Sequence, residues 1–233
     1  MIYETLLLAG TLEGVKDETT LFARLTTTKK MIEVFAPLLP QLCAAFPTFR
    51  KIYVSVHRQA SNKDPLYVLE QIQAQGTLIA VNESRLAAVF EEALQKGKLK
   101  HLSDYPSYKK ETSSVDECPL LRFYDEDHSC LVMAAAGFSK QEDSFFYPDD
   151  RRLQAQIQLT NLISVKKENE KAFLFIIFFR NDADKMFLSW RQNPSFAYLM
   201  TQACKKDVKI IAMRCKITQN IIEITDEVSI YDK

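Results

Sequence analysis

From Ser129 to Phe138 the chain reads SCLVMAAAGF, an uncharged apolar run of strand length. A polar stretch follows, and then a segment with helical signals that begins near Tyr147-Pro148-Asp149-Asp150. A second run, AFLFIIFF at 172–179, is equally free of charge. A strand with no polar alternation suits a sheet covered on both faces, because no side of it meets water. Together with helical stretches between the runs, this points to a layered α/β arrangement. Many metal-dependent enzymes use the order strand, loop, helix to place an acidic residue and a lysine beside a cation. Here the strand centre is Val132, Met133, Ala134, Ala135 and Ala136. None of these side chains can hold a cation or move a proton.

Charge narrows the function classes. Lys+Arg and Asp+Glu are each 30, so the formal net charge is zero. A duplex-DNA binder draws most of its affinity from phosphate neutralisation and usually shows a basic surface. Zero net charge lowers that expectation and favours association near neutral pH. The 233 residues suffice for one large or two small domains, and 5 Gly and 8 Pro leave little room for long linkers. No apolar run approaches the ~18 residues of a membrane-spanning helix, so no membrane insertion is expected. Met1-Ile2-Tyr3-Glu4 lacks the basic start of a signal peptide. The 5 cysteines (43, 118, 130, 204, 215) are odd in number and show no C-x-x-C spacing, which suits a reducing, cytoplasmic setting.

The first 82 residues read as short strands at 5–9, 21–26, 31–35, 51–57 and 76–81, with a helical insert at 38–46 marked by Pro37, Pro40 and Pro47. Five short strands resemble a small barrel more than a βαβ unit. Asn82 can cap a helix over 83–98 that Gly97 can end, with Leu86, Val89, Phe90, Ala93 and Leu94 on one face. The segment 83–104 therefore reads as a linking helix between residues 1–82 and 105–233. Further on, a strand is expected at 120–124, then the alanine strand. A helix over 149–164 should turn Leu153, Ile157 and Leu162 inward. A central strand follows at 171–180. Asn193-Pro194 signals a helix that buries Phe196, Leu199, Met200 and Ala203. Strands at 208–215 and 220–225 close the sheet.

In order, spacing and length the chain resembles the sugar fermentation stimulation protein (SfsA) family. The segments that carry the likeness are QGTLIAVNESRLAAVFEEAL (75–94), LSDYPSYKKE (102–111), FFYPDD (145–150), AFLFIIFFR (172–180) and VKIIAMRCKIT (208–218). The resemblance implies an OB-fold-like N-terminal barrel followed by a mixed-sheet α/β domain of the PD-(D/E)xK nuclease type. It also implies active residues, and most positions lack them. The acidic residue of the first core strand falls at Arg122. The Glu and Lys of the Glu-x-Lys strand fall at Met133 and Ala135. Glu111 matches a family glutamate, and Tyr147-Pro148-Asp149 keeps the family's corner. The following helix, which normally offers polar groups, presents Arg152, Leu153, Gln154, Ala155, Ile157 and Gln158. In the barrel the family's Pro-Asn-Thr-Gly run falls at Pro37-Leu38-Leu39-Pro40, and the Asn-Arg pair of the linking helix falls at Ala87-Ala88.

A divalent-metal site needs carboxylate oxygens in near-octahedral array, and phosphodiester cleavage needs the ion to activate water. Met133 and Ala135 offer no ligand, and Arg122 repels a cation. No catalytic residue, metal or cofactor is expected, and Arg122 should pair with Glu111. Other constellations carry less. His128 and Cys130, near Cys118, lack a fourth zinc ligand and the usual spacing. Asp125-Glu126-Asp127 reads as a tight turn between strands. Lys205-Lys206 sit at a helix end. Candidate phosphate contacts are Arg151, Arg152, Lys166 and Lys167. Candidate protein-interface residues are Phe145, Phe146, Tyr147 and Trp190, since aromatic anchors dominate interfaces. The expected function is a non-catalytic adaptor or structural subunit of a bacterial assembly, such as a secretion or regulatory complex. The alternative is a regulator that binds nucleic acid without cutting it.

Overall fold

A computed structural model of the chain describes residues 1, 6–58, 65–111, 120–148, 152–188 and 193–231, with the side chain of Arg152 outside that set. The chain divides into two compact units. The first is Met1–Asn82 with Lys216–Ile222, and the second is Glu83–Cys215 with Glu223–Lys233.

The first unit contains β1 (Leu8–Val15), β2 (Thr20–Leu25), β3 (Met31–Phe35), α1 (Leu39–Ala45), β4 (Lys51–His57), β5 (Leu66–Ala74) and β6 (Thr77–Ala80). Their order is β3-β2-β1-β4-β5-β6, and β3 also pairs in parallel with β5. That extra pairing closes β1–β5 into an OB-like barrel, with α1 crossing between β3 and β4. Ile32 and Val34 alternate inward along β3 as period-two patterning requires. The expected strand at 5–9 is displaced: β1 starts at Leu8 and runs to Val15.

Strand β5 was not among the expected strands. Its sequence, LYVLEQIQA, puts Glu70 and Gln71 in the interior, both 0% exposed. Buried polar groups survive where they are hydrogen-bonded. Ser55 Oγ donates to Glu70 Oε1 at 2.7 Å and Asn82 Nδ2 to Glu70 Oε2 at 3.1 Å. Gln71 Nε2 donates to the Thr218 carbonyl at 2.7 Å.

The second unit opens with a 3-10 turn (Glu83–Arg85) and α2 (Leu86–Gln95). The N-cap position of α2 itself is Arg85, with Asn82 ahead of the 3-10 turn and its Nδ2 donating to Glu70. Gly97 ends the helix as its sequence suggests. It adopts φ +65°, and the Lys98 N–H returns to the Ala93 carbonyl at 2.9 Å. After a 3-10 turn (Lys100–Leu102) come β7 (Ser107–Lys110), β8 (Leu120–Tyr124), β9 (Ser129–Gly137), β10 (Lys140–Gln141), β11 (Ser144–Tyr147), α3 (Arg152–Val165), β12 (Lys171–Phe178), β13 (Lys185–Leu188), α4 (Pro194–Lys205), β14 (Val208–Ile217) and β15 (Ile222–Tyr231).

These strands form one mixed sheet, ordered β10-β11-β13-β15-β14-β12-β9-β8-β7. The two apolar runs are adjacent central strands: β9 pairs in parallel with β12, and β12 with β14. One face carries Met133, Ala135, Leu174 and Ile176 against Ala155, Leu159 and Leu162 of α3 and Phe196, Met200 and Ala203 of α4. On the other face Phe90 of α2 meets Phe175 edge-on at 5.4 Å. Both faces are therefore covered, which is why neither run alternates. Gly137 ends β9 where only glycine fits, since an added Cβ would lie 2.6 Å from Phe178 Cε1.

Helix α3 presents a different face from the expected one. Leu162 is buried, but Leu153 is 70% exposed and Ile157 46% exposed. Residues 155, 159 and 162 share one side of a helix as well as 153, 157 and 160 do. The chain offers two apolar stripes, and the sheet takes the one with the small Ala155.

Candidate functional site

The family-implied metal positions lie on the α3-covered face of the sheet. Strand register sets Met133 opposite Leu120 and Leu174, and Ala135 opposite Ile176. Met133 is 0% exposed and Ala135 1%. Both side chains belong to the core that packs α3. A hydrated cation finds neither an oxygen ligand nor a water path there, so these residues do not fit a metal.

Arg122 sits on the same face, opposite Leu131, near the amino ends of β9 and β12. It is 3% exposed and spends its donors internally. Nε donates to Glu111 Oε1 at 2.8 Å, Nη1 to Glu170 Oε1, and Nη2 to the Val165 carbonyl at 3.2 Å. Burial opposes the guanidinium charge, but hydrogen bonds and charges from Glu170 and Glu111 outweigh it and hold Arg122 above the ordinary arginine value. Glu170 also accepts from Ser129 Oγ at 2.7 Å and from the Lys167 N–H at 2.9 Å. Burial would raise its pKa, but the Arg122, Lys167 and Ser129 donors hold it below the usual glutamate value. The result is a closed ion-pair cluster with no open coordination position.

Glu170 was not among the residues singled out by sequence. It ends the charged run KKENE before β12 and reads as solvated there. Its signal is topological, since Lys171 is in register with Cys130 and Glu170 therefore faces Ser129.

A second closed cluster seals the other end of these strands, where open α/β sheets commonly bind ligands. Arg180 is 0% exposed and forks onto Asp182, with Nε and Nη2 each 2.7 Å from a carboxylate oxygen. Arg180 Nη1 donates to the Phe138 carbonyl at 2.8 Å, and Lys140 Nζ reaches Asp182 at 3.2 Å. Burial pushes the Asp182 pKa up, but Arg180 and Lys140 outweigh it and hold the carboxyl below its usual range.

Two of the four expected interface aromatics are core. Strand β11 lies inside the sheet, with Phe145 opposite Met186 and Tyr147 opposite Leu188. Phe145 is 0% exposed and stacks on Phe178 at 4.3 Å, and Tyr147 is 3% exposed and meets Phe196 edge-on at 5.7 Å. Neither can anchor a partner. Phe146 is half-buried. Trp190, Arg151 and Asp149 fall outside the described residues, as does the Arg152 side chain. Lys166 and Lys167 follow α3, where Lys166 Nζ folds onto the Lys167 carbonyl at 3.2 Å and the Lys167 N–H serves Glu170.

Elsewhere some of the described cations are paired close by. Lys16 meets Glu33 at 2.7 Å and Arg24 meets Glu13 at 2.9 Å on the barrel. In the second unit Lys98 meets Glu223, Lys110 meets Glu91 and Arg214 meets Asp226, at 2.8, 2.8 and 3.1 Å. Such pairs add little stability, and each neutralises its own cation toward a phosphate backbone.

His128 is exposed ahead of β9 and Cys130 is buried within it, and Cys118 falls outside the described residues. Burial pushes the Cys130 thiol up to about 12. Among the described residues no group of three or more His, Cys, Asp or Glu could hold a metal. Asp125 Oδ1 accepts from the N–H groups of Asp127 and His128 at 2.8 and 2.6 Å, making the acidic run a turn. No described helix is long and apolar enough to cross a membrane.

The model of the sugar fermentation stimulation protein RE domain matches residues 84–221. A sugar fermentation stimulation protein homolog of Brucella ovis is 25% identical over 182 residues, covering 74% of each chain. The homolog of Brucella melitensis biotype 1 matches to the same extent. The solved structure of Pyrococcus furiosus SfsA in complex with Ca2+ superposes with a TM-score of 0.79 at 15% identity, covering 99% of this chain and 98% of that one.

Proposed function

This chain belongs to the sugar fermentation stimulation protein (SfsA) family, and from that premise we propose that it is a non-catalytic member acting through protein contacts, as an adaptor or structural subunit of a bacterial assembly. One observation carries the reading. The positions the resemblance assigns to the active-site glutamate and lysine hold buried Met133 and Ala135, and that of the acidic residue holds Arg122, locked between Glu111 and Glu170. The Pyrococcus relative was solved with Ca2+. A cation arriving here would meet apolar carbon at two positions and a fixed positive charge at the third. Without the ion, activation of water and stabilisation of the developing charge lose their source. Zero net charge favours protein contacts over the alternative of nucleic-acid binding.

Two measurements test this. Incubation with DNA and RNA in Mg2+, Mn2+ and Ca2+ should leave both intact. Divalent-dependent cleavage that Glu111→Ala abolishes would overturn the non-catalytic reading. Affinity capture from lysate should recover a stoichiometric protein that survives nuclease treatment and high salt. Recovery of nucleic acid alone, lost as salt rises, would transfer the conclusion to the nucleic-acid reading.

A further inference from the structure

Resting on that reading of protein contacts, we propose that the outer face of α3 and α4 is a homodimer interface and that its partner is a second copy of this chain. The chain is 26% charged. Yet residues 153–165 and 194–204 contain no charged side chain, and Lys205 ends the second helix. Helix α2 is the internal contrast, since its outward Glu91 and Glu92 pair with Lys110 and Lys96. Solvent-facing helices normally put charge outward.

The two helices start side by side, with Gln156 Nε2 donating to Asn193 Oδ1 at 3.1 Å while Asn193 caps α4. Their inner sides are committed to the sheet through Leu159, Leu162, Phe196 and Met200. The outward sides expose Leu153 at 70%, Ile157 at 46% and Tyr198 at 67%. Thr160 and Thr201 continue the same face with hydroxyls and no charge.

Electrostatics selects the occupant. A face built for an acidic or basic partner carries the opposite charge, and this one carries almost none. A two-fold axis returns every residue of a patch to the same patch, so charge of a single sign there would face its own sign. An uncharged face avoids that repulsion, and zero net charge removes the long-range penalty for two copies meeting. The size is also suitable. Helices of 14 and 12 residues are about 21 and 18 Å long. Packed about 9 Å apart and each about 10 Å across, they span a footprint of about 400 Å2, in the range of the smaller, weaker interfaces.

Sedimentation of the full chain at micromolar concentration should give twice the 26.8 kDa chain mass. Leu153→Glu with Ile157→Glu should weaken association at least about tenfold. Ala88→Glu, on the exposed side of α2, should leave it intact. Circular dichroism checks that each variant is folded. Hydrogen exchange of the unaltered chain, dilute against concentrated, should show protection gained in α3 and α4. A monomer at all concentrations overturns the proposal. So does a dimer that both helix substitutions leave unchanged, or protection confined to other elements. Each of those results leaves the non-catalytic reading standing, because that reading fails only on cleavage or on capture of nucleic acid alone.

Discussion

Arg122 and Glu170 are buried charges whose energetics depend on each other. Removing one partner leaves the other desolvated and uncompensated, which costs about 3–5 kcal/mol. Glu170→Ala should therefore lower the urea midpoint strongly. Glu111 is 24% exposed at its side chain, so Glu111→Ala should cost only about 1 kcal/mol, with water replacing the lost bond. Equal losses would show that the cluster is held from the Glu111 side as well. The acid limb of stability has a definite sign. Folding depresses the Glu170 and Asp182 pKa values. Their contribution is fully present above the ordinary carboxylate values and is lost as pH falls through the lower folded ones. Glu170→Gln should flatten the decline of melting temperature between neutral and acid pH, and an unchanged slope would refute the assignment. Arg122, at the position the resemblance gives to a carboxylate, was legible in the sequence. Glu170 was not, because it is far away along the chain and only the β9–β12 register brings it to Ser129.

At the level of elements, reading succeeded where local chemistry decides. Asn193-Pro194 opened α4 as expected, with the Asn193 side chain accepting from the Phe196 N–H at 3.2 Å. Asn193→Ala should cost about 1 kcal/mol through loss of that cap, visible as a lower melting temperature. Gly137→Ala should cost about 1–3 kcal/mol, because Phe178 is already stacked on Phe145 and cannot withdraw. A neutral result would mean that β9 shifts to make room. Reading failed where tertiary context decides. Strand β5 hides behind Glu70 and Gln71, whose burial depends on Ser55, Asn82 and Thr218. Helix α3 offers two apolar stripes, and spacing alone does not say which one meets the sheet. Strand β11 is too short for its buried alternation to stand out, so Phe145 and Tyr147 looked like loop aromatics.

Across the whole molecule, charge sums to zero. Part of it is also paired locally, as in Lys16 with Glu33, Lys110 with Glu91 and Arg214 with Asp226. Solubility should pass through a minimum near the sequence pI of about 6.8 and rise on both sides as net charge reappears. A turbidity series across pH checks this, and a minimum displaced well to the basic side would indicate an unbalanced basic surface. The closed core around Met133 also has a historical reading. A glutamate at 133 alone would be an uncompensated buried carboxylate, and a lysine at 135 alone a stranded ammonium. An aspartate at 122 alone would crowd against Glu111 and Glu170. No single substitution leads from this core to a cation-binding one without passing through a less stable protein. The packing acts as an evolutionary ratchet: selection on foldedness alone would keep this lineage from drifting toward metal chemistry.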